Sequence, residues 1–308
     1  MRFKDGLRPD HCTSLRQKKG TMAFLHFQSS FLFIMSTFLN TLAFIGGGNM
    51  ASAIIGGLIR QGMKPEQIMV VEPFADTATK LLSDFGIQAL SVAGPTLARA
   101  DMVVWAVKPQ VFSEAAIPVM PHTRSALHLS VAAGIRTDSI CRWVGTERVV
   151  RCMPNTPALV GQGITGLFPC PLVSLADQAL VERVIGTTGQ YVWFDQESQL
   201  DAVTALSGSG PAYVFYFLEA MTEAGVGMGL STEQAYQLAV ATFSGASSLA
   251  AASSEPAQVL RQRVTSKGGT TYAAITALDQ AGVKAAFVKA MQAAEVRARE
   301  LGDEFGKA

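Results

Sequence analysis

The stretch FIGGGNMASAIIGGL at residues 44–58 constrains the fold more than any other part of the chain. Three consecutive glycines follow a short apolar run and precede residues whose apolar positions recur at helical spacing. Gly46, Gly48 and Ala51 fit the dinucleotide-binding fingerprint, in which the first glycine permits a tight turn and the second admits a pyrophosphate. A helix beginning at Asn49 would present its free N–H groups to that anion. A glycine turn that serves packing alone is the alternative for the motif taken by itself.

The chain beyond this motif alternates between apolar runs and segments of helical periodicity up to about residue 198. Runs that predict strands lie at residues 41–45, 68–72, 87–90, 102–107, 126–134 and 148–153. Helices between such runs imply parallel pairing through right-handed crossovers, and apolar runs without alternation fit strands covered on both faces. Later residues predict helices at 213–228, 231–253, 257–264, 272–280 and 283–301. We therefore predict an α/β fold, with a Rossmann-type doubly wound sheet at 41–198 followed by an all-helical domain at 199–308.

The first 40 residues differ from the rest of the chain. A basic run at 16–19 followed by an apolar stretch imitates a secretory signal, but no small-residue cleavage site follows it. Polar residues such as His26 and Gln28 interrupt the stretch and argue against a membrane span. We expect residues 1–40 to be an extension outside the core, with Met35 as the natural start. A targeting segment and a helix packed on the body are the alternatives.

Charge and composition exclude several classes of function. A net charge of +1 without a run of phosphate-neutralising Lys and Arg predicts that nucleic acid is not a partner. The histidines are scattered, which predicts no metal site and no histidine-based acid–base catalysis. The cysteines have no paired short spacing, which predicts reduced thiols in a cytoplasmic protein; they are Cys12, Cys141, Cys152 and Cys170.

An acidic residue ends the second predicted strand. Glu72 stands where a carboxylate accepts hydrogen bonds from an adenosine ribose and repels a 2′-phosphate. No arginine follows it to hold such a phosphate, since the next cation, Lys80, lies two turns into the following helix. This arrangement favours NADH over NADPH. A solvated carboxylate at a strand end is the alternative.

Six stretches together resemble the pyrroline-5-carboxylate reductase family, whose members catalyse the last step of proline synthesis. They are FIGGGNMASAIIGGL (44–58), WAVKPQVF (105–112), SVAAGI (130–135), VVRCMPNTPALVGQGITGL (149–167), LDAVTALSGSGPAYVF (200–215) and RVTSKGGTTYAAI (263–275). They follow the family's order from about residue 41 to the C-terminus. The MPNTP and SGSGPAY segments and the late glycine–threonine turn are more specific than a dinucleotide fingerprint.

The resemblance implies reduction of L-1-pyrroline-5-carboxylate to L-proline with NADPH or NADH. It implies a nucleotide site that includes Gly46, Gly48, Asn49, Met50, Ala51, Ala106, Val107, Lys108, Pro109, Ala132, Ala133 and Gly134. It implies a substrate site at Ser266, Gly269, Thr270 and Thr271, in which Thr271 is the catalytic hydroxyl. Family members are homodimers through swapped C-terminal helices, some assemble further into decamers, and the site lies at the dimer interface.

The late turn supports this expectation on physical grounds. In TSKGGTT, residues 265–271, two glycines let successive N–H groups point toward one centre, and the following helix adds its partial positive charge. A small carboxylate fits such a cradle, and the Thr271 hydroxyl can reach the nitrogen of a cyclic imine. An ordinary helix start capped by Thr270 or Thr271 is the alternative.

Two shorter motifs have open roles. In MPNTP, Asn155 and Thr156 lie between prolines near the expected carboxyl ends of the strands, where they could orient nicotinamide or substrate. In SGSGPAY, Ser207 or Ser209 could cap a helix whose first turn holds Pro211, or contact the substrate.

Two positions depart from the family's pattern. Ala93 stands where members often carry an asparagine that contacts the adenosine half, and Lys267 stands where they often carry proline. Both departures favour a non-catalytic, nicotinamide-binding sensor. A further alternative is a β-hydroxyacid-dehydrogenase-like enzyme, but residues 199–230 lack the glycine-rich stretch with lysine and asparagine of that family.

Overall fold

The computed structural model describes residues 40–306, so the expected N-terminal extension lies outside the described residues. The short apolar runs form a seven-stranded sheet. Its strands are β1 (Leu42–Ile45), β2 (Ile68–Val71), β3 (Met102–Trp105), β4 (Leu127–Ser130), β5 (Val149–Met153), β6 (Gly163–Pro169) and β7 (Gly189–Trp193).

Helices connect the strands and form all of the C-terminal part. Those among the strands are α1 (Asn49–Arg60), α2 (Ala75–Phe85), α3 (Phe112–Thr123), α4 (Thr137–Val144) and α5 (Leu175–Ile185). Those after β7 are α6 (Gln199–Val203), α7 (Gly210–Gly227), α8 (Thr232–Ala252), α9 (Ala257–Arg263), α10 (Thr270–Gln280) and α11 (Val283–Phe305). A π-helical turn at Thr204–Gly208 joins α6 to α7. None of the helices within residues 40–306 is long and apolar enough to cross a membrane.

The strand order is β2-β1-β3-β4-β5-β6-β7, and every neighbouring pair is parallel except β5 with β6. Phe44 in β1 pairs in register with Val70 on one side and Val104 on the other. The strand β2 lies on one side of β1, and β3 and β4 follow on the other side. The carboxyl ends of β1 and β3 therefore open onto a shared crevice. The predicted doubly wound fold is thereby confirmed.

Two details of the strand prediction are wrong. The run at 87–90 does not form a strand; its last residue, Leu90, makes a single bridge to Val71 before Pro95 opens a 3₁₀ turn. The strands β6 and β7 were not predicted, and β6 runs antiparallel to β5 rather than parallel. The connection from β5 to β6 holds only a short 3₁₀ turn, Thr156–Val160, which is too short for a parallel crossover.

Side chains that alternate along the strands fill two cores, one on each face of the sheet. Leu42 and Phe44 face α1 and α5, whereas Ala43 and Ile45 face α3 and α4. Trp105 belongs to the second core, where it stacks on Phe112 and donates an Nε1–H bond of 3.0 Å to His128 Nδ1. Both faces of strands β1 to β4 are therefore buried, as their apolar runs predict.

The helical part has a different burial pattern. The 18-residue α7 buries only Leu218 and Gly225, and the 21-residue α8 buries only Ala235 and Ala239. All described elements belong to one compact unit, and the expected boundary between residues 198 and 199 stays a prediction.

Candidate functional site

The glycine loop is shaped by contacts that exclude side chains. Gly46 has φ +92°, and a Cβ on it would lie 2.7 Å from the carbonyl oxygen of Ala106. The Ala106 N–H in turn donates to the Ile45 oxygen at 2.8 Å, and Val107 lies beside the same glycine. The first glycine of the fingerprint thus permits the loop after β3 to close against the loop after β1. The structure brings these two predicted segments together.

The start of α1 offers an anion site. The helix begins at Asn49 with Gly48 as its N-cap, and no side chain of the described residues caps it. Gly48 and Asn49 are exposed, and a Cβ on Gly48 would meet nothing within 4 Å. Behind them Ala51 is fully buried, which keeps the helix close to the strand. Free N–H groups that face open space at a helix N-terminus fit the pyrophosphate of a dinucleotide.

Glu72 is buried against the glycine loop, with 6% of its surface exposed. One carboxylate oxygen accepts the Gly47 N–H at 2.8 Å, and the other accepts the Phe74 N–H at 2.9 Å. The alternative of a solvated carboxylate is therefore wrong, because both oxygens accept hydrogen bonds from backbone N–H groups. Its predicted contact with a ribose stays a prediction.

The segment after β4 reaches the same edge of the sheet. Ala132 is buried and Ala133 is exposed, and Val131 donates its N–H to the Trp105 oxygen at 3.1 Å. Gly134 has φ +77°, and a Cβ there would lie 3.3 Å from the ring of Phe305 at the end of α11. Lys108 and Pro109, on the neighbouring loop, are exposed and half-buried respectively. The nucleotide residues expected from the sequence thus gather along one edge.

A buried ionic junction beside this edge was not predicted. Arg151 in β5 is 3% exposed and donates to Glu197 at 2.8 Å; its guanidinium also lies 3.8 Å from Asp201. Glu197 further accepts the N–H and the hydroxyl of Thr137, each at 2.7 Å, at the first turn of α4. Burial raises the pKa of Asp201, and the positive charge of Arg151 opposes that rise. The signal in the sequence was an arginine inside a doubly buried strand, which requires acidic partners.

The MPNTP and SGSGPAY motifs meet each other. The Asn155 amide donates to the Ser207 oxygen at 3.2 Å and accepts the Ile164 N–H at 3.0 Å. Ser209 is the N-cap of α7 without a capping side-chain bond, and Pro211 occupies the first turn as expected. Asn155 therefore fixes the loop after β5 to the π-helical turn.

The late glycine–threonine turn forms the start of α10. Gly269 is the N-cap, and no side chain from the described part of the chain caps the helix. The alternative in which Thr270 or Thr271 caps α10 is therefore wrong. Ser266 and Thr270 are exposed and Thr271 is half-buried, with the uncapped N–H groups beside them. The turn can accept an anion.

A single chain does not join the two halves of the predicted site. The main packing partner of α10 is α11, and no hydrogen bond within residues 40–306 links the turn at 266–271 to the glycine loop. Two large aromatic side chains, Phe215 on α7 and Tyr236 on α8, are 58% and 56% exposed and line one groove. Such an apolar surface is typical of an interface with a partner chain.

The fold and the glycine loop define a dinucleotide-binding oxidoreductase. Residues 41–134 match the family model described as NADP oxidoreductase, coenzyme F420-dependent. Residues 197–301 match the model described as pyrroline-5-carboxylate reductase dimerisation.

Relatives cover nearly the whole described chain. A pyrroline-5-carboxylate reductase of Pseudomonas aeruginosa is 44% identical over 86% of this chain and 98% of its own. One of Pisum sativum is 37% identical over 85% and 96%. The solved structure of the Coxiella burnetii enzyme matches with a TM-score of 0.79 and 38% identity, over 85% of this chain and 98% of that one. The Plasmodium falciparum enzyme, solved with NADP bound, matches with a TM-score of 0.78 and 29% identity over 86% and 99%. The chain belongs to the pyrroline-5-carboxylate reductase family.

Proposed function

We propose that this protein reduces L-1-pyrroline-5-carboxylate to L-proline with NADPH or NADH as the hydride donor. The observation that carries the proposal is the 44% identity to a reductase of that name across 98% of the relative's length. Near-complete coverage supports the whole activity, because both the nucleotide part and the helical part are matched.

In this proposal the edge of the sheet holds the cofactor, which supplies a hydride from its nicotinamide ring when bound. The N–H groups at Gly48, Asn49 and Met50 receive the pyrophosphate, and Gly46 keeps the turn tight. Glu72, already fixed by two backbone N–H groups, would accept hydrogen bonds from the adenosine ribose. The loops at 106–109 and 132–134 would supply further contacts to the nucleotide.

The turn at the start of α10 holds the substrate. N–H groups around Gly269 and Thr270, with the Ser266 hydroxyl, bind the carboxylate through an uncapped helix start. The Thr271 hydroxyl bonds the ring nitrogen and orients the C=N carbon toward the hydride donor. A protonated imine is already electrophilic, so positioning supplies most of the catalysis and no dedicated histidine is required.

The functional unit in this proposal is a homodimer. Since the turn at 266–271 packs within the helical part and away from the glycine loop of its own chain, a second chain would complete each site. The exposed aromatic side chains of α7 and α8 would be covered in the same assembly. In some members of the family five dimers form a decamer, and light scattering tests whether this protein does so. We expect the protein in the cytoplasm, which cell fractionation tests.

The decisive experiment compares the wild type with Thr271→Ala and Thr271→Ser, following reduced-nicotinamide absorbance after addition of pyrroline carboxylate. Loss of one neutral hydroxyl bond in Thr271→Ala should lower kcat/KM by about two- to a hundred-fold. Thr271→Ser keeps the hydroxyl and should recover most of that activity. Cofactor affinity should not change, because the glycine loop lies on the sheet.

Unfolding free energy is measured on the same three proteins. Near-normal turnover in Thr271→Ala would contradict the catalytic assignment. Intact cofactor binding without any turnover in the wild type would support the sensor instead.

A further inference from the structure

Two thiols touch each other away from both halves of the proposed site. Cys141 lies in α4 and Cys170 directly follows β6, and their Sγ atoms are 3.8 Å apart. The two cysteines are 29 residues apart in the sequence, so tertiary packing alone brings them together. Neither belongs to a motif that the reductase reaction uses.

The pair is open to small molecules. Both cysteines line a surface depression together with Thr137, Gly145 and Glu147. Cys141 is half-buried, whereas Cys170 is 6% exposed. A third thiol, Cys152, is 1% exposed in the core under the sheet, which makes it a natural control.

The contact polarises the two thiols in opposite directions. The hydrogen bond from Cys141 lowers the pKa of Cys170, although burial opposes this effect. The same hydrogen bond and burial raise the pKa of Cys141. Of the two thiols, Cys170 is therefore the one that loses its proton more readily, and a thiolate is the form that reacts with oxidants.

We infer that Cys141 and Cys170 form a reversible disulfide site that is oxidised by hydroperoxides. A disulfide requires the sulfur atoms to approach to about 2.05 Å, which two side chains already in contact can reach with small rotations. The inference does not depend on the proposed reaction, because neither residue lies in that site.

The chemistry balances with a hydroperoxide as the oxidant. The Cys170 thiolate attacks the outer peroxide oxygen, the O–O bond breaks, and the departing oxygen takes the proton of Cys141 to leave as alcohol or water. Cys170 is then a sulfenic acid. The Cys141 thiolate attacks the Cys170 sulfur, the S–S bond forms, and hydroxide leaves and becomes water on taking up a proton. The two thiols lose two electrons in total, and the peroxide gains them.

The disulfide would staple α4 to the end of β6. The chain that enters α4 carries the expected nucleotide residues 132–134, and Thr137 at its first turn is held by Glu197. Closing a loop between the two cysteines reduces the freedom of the unfolded chain, so the oxidised protein should melt at a higher temperature.

The test treats the reduced full-length protein with hydrogen peroxide, blocks remaining thiols with an alkylating agent, and maps the peptides by mass. We expect one linkage, between Cys141 and Cys170, with loss of two hydrogen atoms and full reversal by dithiothreitol. The thermal midpoint should rise by several degrees on oxidation. Cys152→Ala should form the same linkage and show the same rise in midpoint on oxidation as the wild type.

Cys141→Ser and Cys170→Ser should each abolish both the linkage and the rise in midpoint. Since Cys170→Ser places a hydroxyl in a buried position, Cys141→Ser at the half-buried position is the decisive variant. The inference is overturned if peroxide only adds oxygen to single cysteines, if the linkage involves Cys12 or Cys152, or if the linked protein melts no higher than the reduced one.

Discussion

The sheet part of this chain buries its apolar side chains within the chain itself, whereas the helical part leaves many of them exposed. Strands β1, β3 and β4 have every residue buried, and two cores cover both faces of the sheet. Helices α7 and α8, which carry the exposed side chains of Phe215, Tyr216 and Tyr236, bury only two residues each. A region that completes its own core can present a preformed nucleotide edge, whereas one that leaves apolar side chains exposed depends on a partner.

The largest expected effect is on assembly. Phe215→Glu places a charge in the exposed apolar groove of α7 and α8, where a partner chain would leave it buried and unpaired. We expect the dimer dissociation constant to rise at least about a hundredfold, with loss of turnover. Ile117→Glu is the matched control, since Ile117 is 71% exposed on α3 of the sheet part. Light scattering on dilution measures the dissociation of the dimer. An active wild-type monomer at nanomolar concentration would contradict the dependence of the helical part on a partner chain.

The second prediction contrasts a buried ion pair with an exposed one. Arg151→Ala leaves Glu197 with an uncompensated charge in the junction and should lower the free energy of unfolding by about 3–5 kcal/mol. Arg297→Ala removes the ion pair with Glu304 on the exposed face of α11 and should leave that free energy unchanged. Urea unfolding of both variants measures the difference, and equal effects would refute it.

The third prediction concerns acid. Burial lowers the pKa of His128 from 6.5 to about 4. The folded state therefore binds a proton on His128 less readily than the unfolded state does. The stability gained by keeping His128 neutral is complete above pH 6.5 and is lost as the pH falls toward 4. Between about pH 7 and pH 5 the free energy of unfolding should drop by about 2 kcal/mol from this group.

Urea titrations followed by tryptophan fluorescence measure this drop in the free energy of unfolding, because Trp105 is hydrogen-bonded to His128. His128→Gln should flatten the pH dependence over that range. An unchanged slope in the variant would show that other groups of the sheet part carry it.

The smallest effect concerns cofactor choice. Glu72→Ser removes the carboxylate that would repel a 2′-phosphate, so use of NADPH relative to NADH should improve by about tenfold. The variant also loses the bonds to Gly47 and Phe74, so KM should rise for both nucleotides. Steady-state kinetics with each nucleotide measures both quantities. A rise in KM with an unchanged ratio would assign Glu72 to holding the loop alone.

Short-range patterns in the sequence determined much of this protein. The glycine loop, the start of α1 at Asn49 and the starts of α9 and α11 follow from glycine, proline and periodicity, which act over a few residues. The expected nucleotide segments also meet as predicted, because parallel strands bring their carboxyl ends to one edge.

Only the tertiary structure decided features that depend on distant partners. The burial of Glu72 against Gly47 and the contact of Cys141 with Cys170 each join residues whose pairing no local pattern encodes. The same holds for Arg151, whose partners Glu197 and Asp201 come from a later loop and helix. Local propensity is a property of neighbouring residues, whereas burial and charge pairing are set by whatever the finished fold places alongside.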